Sequence, residues 1–317
     1  MENLPNPTKG SAIARTFLQI PGWRIRGTTR NPSSPSALAL QSQGIEVVKV
    51  DLDSVTTLLA AFQNATAIFG LTDFWEPYFS PTNQELAKKT GKTINEIAYE
   101  TEIQHGINIA TAASQIPTLT RYIYSSLADV KSLSNGKYTQ VYHFDSKAQV
   151  VHYIKQHLPA LFQKSSFLQV GEYVTNWKKM VTLGPKKLKD GTFVIRKPHA
   201  GDAKIPMVWV EAEPGKTLLG YGSLIGWEEF LRIWGEILGV KTRFEEVPVE
   251  EYLVDFPEDL RRELRETGLV HGELGWDGGD PDVIHPEDVS ILPLILILMV
   301  ELFTDEDAAG YLWDPGR

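Results

Sequence analysis

The feature that most constrains this chain is the change of hydrophobic period along its first half, from short apolar runs to helical stripes and back. Ser54 to Gln63 carries Val55, Leu58, Leu59 and Phe62 at the i, i+3, i+4, i+7 spacing of one helix face. Two runs flank it, Ile45 to Val50 and Ala67 to Leu71, with the length and apolar content of strands. The same alternation predicts helices over Ser11 to Gln19, about Ala98 to Ser114 and Asp145 to His157. It predicts strands over Arg24 to Thr29, Arg121 to Ser125 and Ser166 to Val170, with Ser80 to Lys92 a polar insertion. Strand, helix and strand joined by short loops give an α/β chain with a doubly wound parallel sheet. The ligand crevice of such a sheet lies beyond the carboxyl ends of its strands. Topology alone therefore gathers Thr29 and Arg30, Asp51, Thr72 and Asp73, and Ser125 and Ser126 around one crevice.

The second half reads more loosely. Trp227 to Leu238 is an amphipathic helix stopped by Gly239, with Phe230, Leu231, Trp234 and Leu238 inward. Glu258 to Glu266 is a charged helix, and Gly272 to Asp282 a glycine- and aspartate-rich loop. The expected division is a nucleotide domain over residues 1–170 and a smaller α/β lobe over 171–317 that completes the site. Of the 317 residues, 42% are hydrophobic and 22% charged, the proportions of a globular protein. A net charge of -9 and the lack of a long Lys/Arg cluster argue against direct nucleic-acid binding. With no cysteine, thiolate catalysis, disulfides and zinc–thiolate sites are excluded. The seven histidines have no paired metal spacing, and Asp277, Asp280 and Asp282 fall in a tight loop without the spacing of a calcium loop. No metal is expected. Met1 to Gly10 lacks the apolar core of a signal peptide, and the apolar run Ile291 to Val300 is shorter than a bilayer span and carries Pro293. The expectation is a cytoplasmic or nuclear protein without a membrane partner.

Several residues in the crevice carry chemistry. Arg30 follows the strand Arg24 to Thr29, where an acidic residue binds the ribose 2′-hydroxyl of NAD and an arginine pairs with the 2′-phosphate of NADP. The alternative is a surface arginine in a turn. Asp51 and Leu52 stand where adenine would be met, although Asp51 also suits the N-terminal side of the following helix. Thr72, Asp73, Phe74 and Trp75 close a strand and would wall the nicotinamide. His143 and Lys147 are four apart and share a helix face; Tyr142 lies about 100° away around the helix.

The segments TKGSAIARTFL, RGTTRNP, VDLDS, GLTDFWE, HFDSK, GKTLLGYGS and DGGDPDVIHPEDV, in this order over most of positions 8 to 289, resemble the NmrA-like family of atypical short-chain dehydrogenases. The resemblance implies a Rossmann-type fold, NADP(H) as cofactor, and one of two roles. One is an oxidoreductase acting on a small organic substrate in fungal secondary metabolism. The other is a non-catalytic NADP(H) sensor that binds a transcription factor or other protein. It implies that Arg30, Asn31 and Pro32 form the 2′-phosphate loop and that Asp51 and Leu52 meet adenine. Thr72, Asp73 and Phe74 then cover the ribose and pyrophosphate, Lys147 holds the nicotinamide ribose, and Tyr173, Val174, Thr175 and Asn176 pack at the nicotinamide amide. Gln104 stands where some relatives have lysine. Short-chain dehydrogenases have a tyrosine acid four residues before the lysine; here that position is His143, which leaves His143 and Tyr142 as candidate proton donors.

The chain departs from the family in three places. The first strand and most of the glycine-rich turn are replaced by Met1 to Pro7, leaving only Thr8, Lys9, Gly10 and Ser11 of the motif. Loss of that strand would open a hole in the sheet and remove most pyrophosphate donors. Only Val208 to Pro214 joins two segments that relatives separate by a strand and helix, and the end after Asp288 is unlike theirs. Exon-boundary errors or decay of a duplicated gene would account for all three.

Overall fold

The structure is a computed structural model, and it describes residues 9–172, 176, 183–207, 217–220 and 223–285. The chain divides into two units. One is Met1–Ser126 with Tyr142–Phe167, and the other is Leu127–Val141 with Leu168–Arg317.

The first unit has the expected alternation. In chain order it runs α1 (Lys9–Leu18), β1 (Arg26–Thr29), α2 (Pro35–Ser42), β2 (Glu46–Lys49), α3 (Val55–Phe62), β3 (Ala67–Gly70), α4 (Trp75–Phe79), α5 (Pro81–Thr90), α6 (Ile94–Ser114) and β4 (Arg121–Ser126). After α7 (Val130–Leu133), which belongs to the second unit, come α8 (Tyr142–His157), α9 (Pro159–Phe162) and β5 (Ser165–Val170), whose residues from Leu168 on belong to the second unit. The insertion at 80–92 is mostly the helix α5, capped by the Ser80 hydroxyl and ended by Gly91 at φ 74°. α6 starts earlier than its apolar pattern suggested, because Thr93 and Glu96 form a reciprocal capping box at its N-terminus. Its core face packs Ile109, Ala110, Ala112 and Ala113 against Leu58 of α3, Tyr122 and Tyr124 of β4, and Val150 and Ile154 of α8.

The described strands of this unit fall in two sheets. β1 pairs in parallel with β2, and β3 in parallel with β4. Among the described residues, however, β1–β2 is a sheet by itself and β3 ends the other one. A doubly wound order places the first strand of the fold between these two edges, and this chain has no strand pattern at that point of its sequence. The β1–β2 ribbon is held by other means. Val48 and Val50 pack into the main core. Arg26 Nη1 donates to the carbonyls of Ala61 (2.9 Å) and Gln63 (3.2 Å) at the end of α3, and its Nε donates to Glu46 (2.8 Å).

The second unit contains β6 (Lys186–Lys187), β7 (Phe193–Lys197), β8 (Ile205–Met207), β9 (Thr217–Gly220), β10 (Ser223–Ile225), α10 (Trp227–Leu238), β11 (Thr242–Glu246), α11 (Val249–Leu253), α12 (Glu258–Glu273) and β12 (Val283–Ile284). β7 lies between β6, antiparallel, and β11, parallel; β8 and β10 are antiparallel, and β9 and β12 parallel. Its core joins Ile195, Ile205, Trp227, Phe230 and Leu231, with Trp234 and Trp276 packed against them. α12 runs seven residues beyond the charged stretch read from sequence and takes in Gly272, so the glycine-rich loop begins after Glu273. A Cβ at Gly268 would lie 2.6 Å from Pro198, and one at Gly272 would lie 2.7 Å from His199. Glycine is therefore tolerated in this helix because it lets the segment at Pro198 come close. The apolar run Ile291 to Val300 lies outside the described residues.

Candidate functional site

The segment after β3, the strand β4, the helix α6 and the second turn of α8 converge in the first unit on one buried polar cluster. Lys147 reaches it from α8. Its Nζ donates to the backbone carbonyl of Thr72 (2.9 Å), to Thr72 Oγ1 (3.1 Å) and to the carboxylate of Glu102 on α6. An ammonium has three hydrogens, and each has an acceptor here. The second carboxylate oxygen of Glu102 accepts from the Ser146 hydroxyl. Thr72 Oγ1 also shares a hydrogen bond with the Tyr124 hydroxyl (3.1 Å). The whole cluster is dry: Glu102 and Ser146 are 0% exposed, Lys147 5% and Thr72 7%. A lone buried ammonium or carboxylate is costly, and the pair persists because each charge is matched and hydrogen-bonded. Burial, and then the charge of Glu102, hold the Tyr124 hydroxyl protonated well above the ordinary tyrosine range, while its bond to Thr72 acts the other way.

One turn before Lys147, His143 sits among aromatic rings. Its ring centroid is 5.3 Å from Trp75, 6.0 Å from Phe74 and 4.8 Å from Phe144. Asp73 Oδ1 accepts from the Trp75 amide (3.0 Å), which sets the turn that brings these rings over α8. Tyr142 is placed differently: its ring meets Tyr99 of α6 at 5.5 Å, in line with its position off the His143–Lys147 face.

Of the remaining predicted residues, Arg30 and Asp51 follow the carboxyl ends of β1 and β2, while Lys9, Gly10 and Gln104 lie on helices. Arg30, exposed after β1, forms an ion pair with Glu76 of α4. Asn31 Oδ1 accepts from the Ser33 amide (3.1 Å), shaping the turn that includes Pro32. Asp51 Oδ1 accepts from the Asp53 amide (3.0 Å), and the Leu52 carbonyl accepts from Asn108 Nδ2 (2.8 Å). Gln104 donates to Asn108 Oδ1 (2.8 Å), so it bears on the Asp51–Leu52 turn through Asn108. Lys9 and Gly10 open α1, and a Cβ on Gly10 would lie 3.4 Å from Leu71 at the end of β3. Ser125 Oγ, at the end of β4, is buried with no hydrogen-bond partner. Tyr173, Val174 and Thr175 lie outside the described residues, and Asn176 belongs to the second unit. Among the described residues no cluster of His, Asp and Glu could hold a metal, and no helix is long and apolar enough to cross a membrane.

Sequence reasoning did not single out Glu102, Ser146, Tyr124, Asn108 or Glu76. A signal for two of them was present. Asn95, Glu102, His105 and Asn108 are polar residues buried on a helix face that also carries Ile97, Ala98, Ile109 and Ala112. A carboxylate on an otherwise apolar face implies a buried partner.

Comparison with known proteins accords with this geometry. The NmrA-like family matches residues 8–292. The chain belongs to that family. It is 24% identical over 293 residues to the NmrA-like family domain-containing oxidoreductase hkm9 of Aspergillus hancockii, covering 86% of this chain and 81% of that protein. The match to the oxidoreductase notA of an Aspergillus species is 30% identical over 145 residues, 46% of this chain and 38% of notA, so it spans well under half of that relative. The nitrogen metabolite repression protein nmrA of Emericella nidulans is 28% identical over 192 residues, 54% of this chain and 52% of that protein. Among solved structures, the negative transcriptional regulator NmrA in complex with NADP superposes with a TM-score of 0.62 at 19% identity, covering 84% of this chain and 79% of that one. The fold is thus the Rossmann-type α/β fold of these proteins, with the described strands of the first unit falling in two sheets.

Proposed function

We propose that this NmrA-like protein is an NADP(H)-dependent oxidoreductase acting on a small organic substrate in fungal secondary metabolism. The observation that carries the reading is Lys147, buried at the strand ends with its ammonium on Thr72, one turn after His143. Support comes also from relatives named as oxidoreductases and from solved neighbours in complex with NADP or NADPH.

The residues fit the two ribose-bearing ends of such a cofactor better than its middle. Arg30 is an exposed guanidinium beside a βα turn, the geometry that pairs with a 2′-phosphate. The first turn of α1, at Lys9 and Gly10, would offer backbone N–H groups to a diphosphate, and Met1 to Pro7 holds no glycine that could add further donors. When bound, the cofactor supplies a hydride. Lys147 would orient the ribose next to the nicotinamide, and Phe74 and Trp75 would exclude water from the reacting face. A carbonyl, imine or enone that accepts a hydride needs a proton, and His143 is the side chain on this face placed to give one. Purified protein should quench its tryptophan fluorescence saturably with NADPH, and should oxidise NADPH when offered some member of a panel of enones, imines and ketones. Binding with no turnover across the panel would count against the enzyme.

A second reading is a sensor that binds NADP(H) and a protein partner without turnover. What favours it is that all three hydrogens of the Lys147 ammonium have acceptors inside the protein and that no tyrosine stands four residues before it. The relative named as a nitrogen metabolite repression protein supports it. Capture of a specific protein that depends on the cofactor's redox state, with no substrate turned over, would establish this reading over the first.

A further inference from the structure

We propose that Glu102 is the positioning residue of the cofactor site: it anchors the Lys147 ammonium so that one of the two hydrogens now on Thr72 can be handed to a ribose hydroxyl. The proposal rests on the reading of Lys147 as the residue at the nicotinamide ribose.

The argument starts from the count of donors. Lys147 cannot bind a cofactor hydroxyl without releasing one of its three acceptors. These are unequal. The bond to Glu102 joins two charges in a site shielded from water, the strongest kind of hydrogen bond available to a side chain. The bond to Thr72 Oγ1, at 3.1 Å, joins an ammonium to a neutral hydroxyl that already has a second partner in Tyr124. If the ammonium lets go of Thr72 Oγ1, that hydroxyl still has Tyr124, and no buried polar atom is orphaned. If it lets go of Glu102, a fully buried carboxylate keeps only Ser146. Thr72 Oγ1 is therefore the exchangeable contact and Glu102 the fixed one. Ser146, adjacent to Lys147 on α8, occupies the other carboxylate oxygen and so fixes the direction in which Glu102 faces the ammonium.

The test is NADPH titration of folded wild-type protein and of the variants E102Q, E102D, K147M and E102Q/K147M, well below their melting temperatures. We expect K147M to weaken NADPH binding about tenfold to a hundredfold, the loss of a charged hydrogen bond. E102Q should weaken it about tenfold, E102D less, and E102Q should add nothing in the K147M background. A residue with a merely structural role would lower the melting temperature and leave affinity unchanged in both backgrounds. A K147M variant that binds NADPH like wild type overturns the reading of Lys147 itself. A weakened K147M beside an E102Q that binds normally overturns the role of Glu102 alone. Should E102Q fail to fold, ¹⁵N-lysine NMR of the wild type decides: a slowly exchanging Nζ signal, absent in K147M, should shift on NADPH addition and remain protected. Its loss of protection on binding would mean that Glu102 is the contact released, and would overturn the proposal.

Discussion

The guanidinium of Arg30, at the carboxyl end of β1, is ion-paired to the carboxylate of Glu76 in the first turn of α4. An acidic side chain thus occupies the group that, in the function proposed above, receives the 2′-phosphate of NADP. The pair is solvent-exposed, with the two side chains 65% and 39% accessible, and such pairs contribute only about 0.2–1 kcal/mol. A phosphate, which carries more charge and offers two oxygens to the fork, displaces the carboxylate easily. R30A is expected to weaken NADPH by about tenfold to a hundredfold and to leave NADH affinity within about twofold. E76Q should tighten NADPH by about twofold to fivefold. Parallel fluorescence titrations with both cofactors read this directly. Equal losses for NADPH and NADH in R30A would show that Arg30 acts on the turn and not on the phosphate.

Gly106 lets α6 and α8 pack over the strand that carries Tyr124. A Cβ there would lie 2.4 Å from Val150 and 2.9 Å from the Tyr124 hydroxyl, both in the fully buried centre of the first unit. G106A forces these groups apart, which costs about 1–3 kcal/mol by overpacking. Thermal melting should show a midpoint several degrees lower. Because Tyr124 bonds to Thr72, NADPH affinity should fall as well. An unchanged midpoint would mean that the two helices can slide without penalty.

In the second unit, burial is the largest influence on His199 and holds its imidazole below its ordinary value of 6.5; the Nδ1–H bond to the Ala200 carbonyl (3.0 Å) opposes this, and Lys197 reinforces it. The unfolded chain therefore takes up a proton at this site at a higher pH than the folded one. Stability contributed by neutral His199 is complete above pH 6.5 and is lost as the pH falls from there toward the lowered folded value. Melting temperatures from about pH 7 to about pH 5 should decline more steeply for wild type than for H199N, whose amide can still donate to Ala200 but does not titrate. Parallel slopes would show that His199 titrates alike in both states.

The alternation of strands and helices in the first unit was legible because each element has its own hydrophobic period and its own stop, as in Val55 to Phe62 with Ser54 before it. The second unit was less legible. β11, for instance, reads Thr-Arg-Phe-Glu-Glu, exposed or half-buried throughout, and carries little apolar signal. In the site, Lys147, Thr72 and Arg30 could be found from spacing, because each sits at a strand end or on a helix face of known period. Glu102 could not be assigned a partner, since it is 45 residues from Lys147 and only packing of α6 on α8 brings them together. Glu76 was hidden for a similar reason, 46 residues from Arg30.

The separation of β1–β2 from β3 among the described residues has the most direct test. In a parallel ladder successive residues of a strand direct their backbone groups alternately to the two sides. Glu46 N donates to Ile25 O and Val50 N to Thr29 O, so the amides of Gly27 and Thr29 look toward β2 and those of Arg26 and Thr28 look away from it. On the other edge, Arg121 N donates to Thr66 O while Tyr122 N turns to Lys164 O. With Ile68 opposite Tyr122, the amides of Ile68 and Gly70 then serve β4, and those of Ala67 and Phe69 face the gap. Hydrogen exchange resolved to single amides should therefore show fast exchange at Thr28 and Phe69 and slow exchange at Ile68, Gly70 and Ile123, the last group approaching global stability. NADPH should slow Thr28 little, since a cofactor bound at the strand ends would offer no backbone to pair with. Protection of Thr28 and Phe69 equal to that of Ile68 would mean that a further strand fills the gap in solution. In that case the central position of the sheet is filled in this chain as the doubly wound order requires.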